Sequence, residues 1–221
     1  DGTTGLVPDL VAPEEGNRPL EAALRLARDP GSVRPAARPK LPPYAVPRRE
    51  EAYASAEFPS REHRLLAAFR IWAAFEYFFA YRRLMEDDWD GVLAESLPRF
   101  EEAANAGEYA LAVAAMLSHT QDSHVGLSGS RAFDQFLGVA RPPVETRLVE
   151  GLPVVTYAAE GTGVSPGDVI ERVDGEAARV RFERLGRYFA ASTPQSLADV
   201  LMLRWLGGPA GSVAVLGVRG A

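Results

Sequence analysis

The residues of this 221-residue chain best suited to chemistry are Asp122-Ser123-His124, within "LSHTQDSHVGL". An imidazole titrates near neutral pH and can take a proton from a serine hydroxyl. Its second ring nitrogen then needs an acceptor to fix the tautomer. Two readings follow for the triplet: half of a proton relay, or a polar helix end. Consecutive residues on a regular helix do not face each other, so Ser123 reaches the His124 ring only where the backbone leaves helical geometry. Gly126, two residues on, supplies a helix end. Asp122 reads as a structural helix-end residue rather than the acid of a triad. His119 lies five residues earlier and reads as structural or exposed, and His63 as solvated. The three histidines form no His-Glu-x-x-His ligand set, so no metal is expected. Asp87, Asp88 and Asp90 suit a helix start better than a cation loop, which needs more oxygen ligands and a glycine turn. No serine sits in a Gly-x-Ser-x-Gly elbow.

Composition limits what such residues can serve. A net charge of -6 opposes a nucleic-acid partner and adsorption to an anionic membrane. The 47% hydrophobic content suffices for one or two cores. Cysteine is absent, which excludes disulfides, a thiol nucleophile and thiolate metal sites. No stretch approaches the roughly 18 apolar residues of a membrane span. The chain starts at Asp1 with no signal-like segment, as a processed or excised fragment would, and the compartment stays open.

Three regions must position the triplet. Residues 1–58 are punctuated by proline and read as an extended linker, with a short helix from Leu20 to Arg28. Residues 59–130 read as a small helical bundle. Ser60 caps the first helix, whose stripe is Leu65, Phe69, Trp72, Phe75 and Phe79. Tyr77, Phe78 and Tyr81 add apolar surface on other faces. A short helix after Asp90 runs through Leu93 and Leu97 and breaks near Pro98. Gly107 precedes a last helix lined by Tyr109, Val113, Met116 and Leu117. "GLSGS" reads as a flexible linker. Residues 131–221 change texture to short strands, with turns at Pro166-Gly167-Asp168 and Asp174-Gly175. A helix from Pro194 to Leu206 is capped by Thr193 and stopped by Gly207-Gly208-Pro209. The fold class is α+β.

"GVSPGDVIERVDGE" resembles the core hairpin of PDZ domains through Gly163, Val164, Gly167, Asp168, Ile170, Asp174 and Gly175. The helix from Ser196 and the strand "GSVAVLGV" are similar to the end of that module. The preceding part resembles the N-terminal helical domain of tricorn-like, tail-specific serine peptidases. Arg64, Leu65, Trp72, Tyr77, Phe78, Tyr81, Asp88, Trp89, Asp90, Tyr109, Asp122 and His124 carry that likeness. The two resemblances together cover about residues 60 to 221.

This resemblance implies a helical bundle followed by a PDZ-like barrel or sandwich with one or two helices. It implies peptide-bond hydrolysis by a Ser-His-Ser-Glu tetrad, with His124 as general base and Ser123 as its orienting partner. The nucleophile and glutamate of such members lie in a later α/β domain with no counterpart here, so the chain alone is expected to be inactive. A second branch of the family uses a Ser-Lys dyad and no histidine from this region. Phe136, Leu137, Gly138 and Val139 match, loosely, the loop that holds a peptide carboxylate; a strand-entry loop is the other reading. The implied partner is a peptide or unfolded protein, with no cofactor, no nucleic acid and no membrane. Homo-oligomers would arise through the parent protein, and many relatives act outside the cytoplasm. The alternative is a non-catalytic peptide-binding or scaffolding module.

Overall fold

The computed structural model describes residues 18–29 and 57–220. The chain divides into two compact units, 1–52 and 53–221. In the first, α1 spans Arg18–Arg28, with Leu20 and Leu24 exposed. The rest of the proline-rich segment expected to be extended lies outside the described residues, apart from 29 and 57–58.

The second unit opens with three helices, α2 (Arg61–Phe78), α3 (Trp89–Glu102) and α4 (Ala106–Ser118). Ser60 occupies the cap position of α2, but its hydroxyl pairs with His63 Nδ1 at 2.9 Å and makes no cap bond. The buried face of α2 differs from the expected stripe. Arg64 and Ala68 are buried, Ile71, Trp72 and Phe75 pack on the core, and Phe69 is exposed. The shift is explained by Arg64. Its guanidinium donates to Phe100 O and Glu101 O at 2.7 Å each and to Pro59 O at 2.9 Å. It thereby satisfies carbonyls at the C-terminal end of α3, where the helix has no donors of its own.

Trp89 opens α3 and is fully buried; its indole N–H donates to Trp72 O at 3.0 Å, while Trp72 Nε1 donates to Asp90 Oδ1 at 2.9 Å. Asp88 holds the cap position without a side-chain cap bond. Contrary to expectation, α3 continues through Pro98 to Glu102. Proline removes one helical hydrogen bond, the one to the carbonyl of Ala94, a residue on the exposed face. Burial of Val92, Ser96 and Phe100 on the opposite face holds both halves of the helix.

The remainder combines α5 (Arg131–Leu137), α6 (Ala178–Gly186) and α7 (Pro194–Met202) with β1 (Val144–Val149), β2 (Leu152–Ala158), β3 (Val169–Val173), β4 (Glu176–Ala177) and β5 (Leu216–Arg219). The strands form one open antiparallel sheet in the order β1-β2-β3-β4, with β5 pairing β3. The fold is α+β, as the sequence indicated. Helices α5 and α6 were not foreseen; Ser130, in the stretch read as a linker, caps α5 by accepting from Phe133 N–H at 3.3 Å. Thr193 caps α7 with Pro194 in its first turn, as expected, but the helix closes at Met202 rather than Leu206. The expected turns form: Gly167, Asp174 and Gly175 have φ of 99°, 51° and 83°.

The two parts of this unit share α4. Ala112, Val113 and Met116 face the helical core with Trp89 and Phe100. Ala110 and Ala114 face the second core, built on Trp205, Ile170, Val155 and Val173. Among the described residues no helix is long and apolar enough to cross a membrane.

Candidate active site at the end of helix α4

Helix α4 is started by Asn105, whose side chain accepts from Glu108 N–H at 2.9 Å. It ends at Ser118, earlier than the Gly126 stop that was expected. Gln121 adopts φ 52°, the left-handed geometry that glycine commonly supplies after a helix. That reversal turns Asp122-Ser123-His124 off the helix axis and into a short exposed loop.

Asp122 and His124 then pair across one residue. The Asp122 Oδ1 accepts from the His124 backbone N–H at 2.9 Å and lies 3.0 Å from His124 Nδ1. These bonds hold the Asp122 carboxyl below the usual carboxylate range, the backbone N–H contributing most. With Asp122 ionised, Nδ1 carries the ring proton and donates it to the carboxylate. Nε2 makes no hydrogen bond to any described residue. The His124 side chain is 94% exposed, so that nitrogen faces solvent. Such an imidazole can accept a proton from a hydroxyl presented from outside the loop.

Ser123 faces the other way. Its Oγ lies 2.5 Å from Ser196 Oγ and 3.2 Å from Ser192 Oγ, and it accepts from Ser192 N–H at 3.0 Å. The expected Ser123–His124 bond is absent; Asp122, read from sequence as a helix-end residue rather than the acid of a triad, takes its place at Nδ1. An aspartate two residues before a histidine can close an Asx-type turn, so Asp122-x-His124 carried the local signal for this pairing. The serine partners, 69 and 73 residues away, left none.

On its other side the loop meets the turn before α3. His119 Nδ1 pairs with Asp87 Oδ2 at 2.7 Å, so His119 is a structural tie. No group of three or more histidine, aspartate or glutamate side chains among the described residues could hold a metal.

The candidate peptide-carboxylate residues divide. Phe136 and Leu137 are the last turn of α5; Leu137 is buried and Phe136 packs edge-on against Tyr188. Gly138 has φ 88° and runs against the Gly207-Gly208 backbone. These three serve packing and are not free to hold a carboxylate. Val139 alone is exposed and borders a cavity of about 710 Å³ between β1 and the end of α7. Arg141, unremarked in the sequence, stands in that cavity wall, where its Nη1 donates to Leu203 O at 2.6 Å.

No protein-family model matches the chain, and no curated protein matches it. Solved structures of CPAF do. Mature CPAF aligns with TM-score 0.56 at 13% identity, covering 72% of this chain and 32% of its own. Mature CPAF complexed with lactacystin gives 0.54 at 12%, and a CPAF serine-to-alanine mutant 0.54 at 13%, with the same coverage. At this identity the likeness shows a shared fold over that part of the chain. The chain spans about a third of the length of these structures, at 32%.

Proposed function

We propose that this chain is part of a serine peptidase in which His124 is the general base and Asp122 orients it. The observation that carries the reading is the Asp122–His124 pair, with Nδ1 held and Nε2 presented to solvent. In acyl transfer from serine, the base needs one ring nitrogen fixed by an acceptor and the other aimed at the nucleophile's hydroxyl. The fold likeness to CPAF, a serine protease, is in keeping with the same class. The nucleophile would come from sequence outside this chain and meet His124 from the solvent side. In this mechanism His124 Nε2 takes the serine proton during attack and returns it to the leaving amine.

The deciding experiment is fluorophosphonate labelling of the full-length parent enzyme, comparing wild type with His124→Ala. Labelling of wild type and loss of labelling in the variant support the base. Equal labelling removes His124 from the mechanism.

A second reading, a peptide-binding module, is favoured by the β1 edge. On its outer side β1 pairs with no described strand, and the cavity against α7 is lined by Val144, Thr146, Met202 and Leu206 with Arg141 at its rim. An extended peptide added to such an edge gains main-chain hydrogen bonds, and a PDZ-like module holds its terminal carboxylate nearby. The two readings are compatible, since the groove could deliver the substrate.

A further inference from the structure

The loop carrying His124 is fastened to the sheet-bearing part of the unit by a reciprocal pair of serines. Ser192 N–H donates to Ser123 Oγ at 3.0 Å, and Ser123 N–H donates to Ser192 Oγ at 3.1 Å. Ser196 adds its hydroxyl at 2.5 Å from Ser123 Oγ. The backbone of Ser196 is itself fixed, because its N–H donates to the Thr193 cap at 3.1 Å. A serine hydroxyl has one proton and two lone pairs. Three partners therefore saturate Ser123 Oγ, and none of its capacity is left for the neighbouring imidazole.

We infer that Ser192 and Ser196 are positioning residues that hold the His124 loop in place through Ser123, an inference that rests on the reading of His124 as base. Two observations argue against simple glue between the two parts. The joint between them is already made by apolar packing: Ala110 and Ala114 of α4 lie in the second core, and Leu127 packs on both. Residues 121, 123 and 124 are exposed, so the serine clasp adds little buried surface; what it adds is a fixed direction for the chain at His124. His119–Asp87 fastens the loop from the opposite side. A base on an exposed loop works only when its nitrogen is held within a fraction of an ångström of the productive place.

The test uses nuclear magnetic resonance on the 221-residue chain and kinetics on the full-length parent, with Ser192→Ala, Ser196→Ala and Ser192→Thr. In Ser192→Ala the Ser123 amide should exchange about tenfold faster, the size of one lost hydrogen bond. The His124 amide should lose order and its ring resonances should shift, while the melting temperature stays within about 2 °C. Threonine, which keeps the hydroxyl, should restore the wild-type signals. In the parent, kcat should fall about tenfold with KM unchanged, the mark of a group acting on the transition state. Unchanged His124 order and kcat in both alanine variants would overturn the inference. If Ser192→Ala fails to fold, Ser196→Ala is read in its place. Should His124→Ala abolish turnover while the serine variants keep full kcat, only the positioning role falls. Should His124→Ala keep full turnover, the base and its positioning fall together.

Discussion

Asp122 and His124 are joined twice, by backbone and by ring, through one carboxylate oxygen: 2.9 Å to the His124 N–H and 3.0 Å to Nδ1. The backbone bond fixes where the carboxylate sits, and the ring bond fixes which nitrogen bears the proton. Replacing Asp122 with asparagine keeps the shape and removes the charge that stabilises the imidazolium. On the proposed mechanism this should lower kcat of the full-length peptidase by roughly 10²- to 10⁴-fold, the range of general-base and orienting contributions. Steady-state peptide hydrolysis checks it, and a loss below threefold would make Asp122 a turn residue only.

Acid should weaken the fold through two carboxylates. Asp122 is held low by the His124 N–H, and Glu176 by hydrogen bonds from Arg184 Nε and Nη2 at 2.8 Å each, with Arg181 adding a third. Each therefore has a lower pKa folded than unfolded. The stability they contribute is fully present above the unfolded value of about 4 and is lost as pH falls through the lowered folded value. Urea unfolding at pH 6 and pH 3 should show this loss, and Glu176→Gln should shrink it.

Arg64→Met should destabilise the chain by about 2–4 kcal/mol. The substitution keeps much of the apolar stem but strands the Pro59, Phe100 and Glu101 carbonyls. Arg64→Lys should recover only part of this, since an ammonium cannot copy the guanidinium fork. Denaturant unfolding of both variants measures it.

Gly138→Ala should cost more than about 3 kcal/mol or prevent folding. A Cβ there would strike the Gly207-Gly208 backbone, and φ 88° is unfavourable for any L side chain. Normal stability of this variant would mean that the crossing of the two segments is looser than described.

Peptide binding at β1 has its own measurement. A hexapeptide ending in valine with a free carboxylate should shift the amide resonances of β1 and α7, and its C-terminally amidated form should bind about tenfold less. Arg141→Ala should remove that preference. Equal binding of both peptides to wild type would exclude carboxylate recognition by Arg141.

What the sequence determined by itself was local. The Asp174-Gly175 turn forms because both positions take positive φ, as a two-residue hairpin requires. Helix α7 starts where Thr193 can cap and Pro194 tolerates a missing donor. The α+β class followed from hydrophobic periodicity, a signal of short range. The tertiary structure decided what depended on distant partners. Arg64 became a core residue because carbonyls 36 and 37 residues away needed donors. Helix α3 crossed Pro98 because burial on its opposite face outweighed one lost hydrogen bond. The His124 ring went to Asp122, and Ser123 to Ser192 and Ser196, because folding brought two hydroxyls and a backbone N–H to one neighbour and left the other in solvent. Spacing along the chain marks which groups can do chemistry; which hydrogen bond each one makes depends on the competition among partners that only the folded chain assembles.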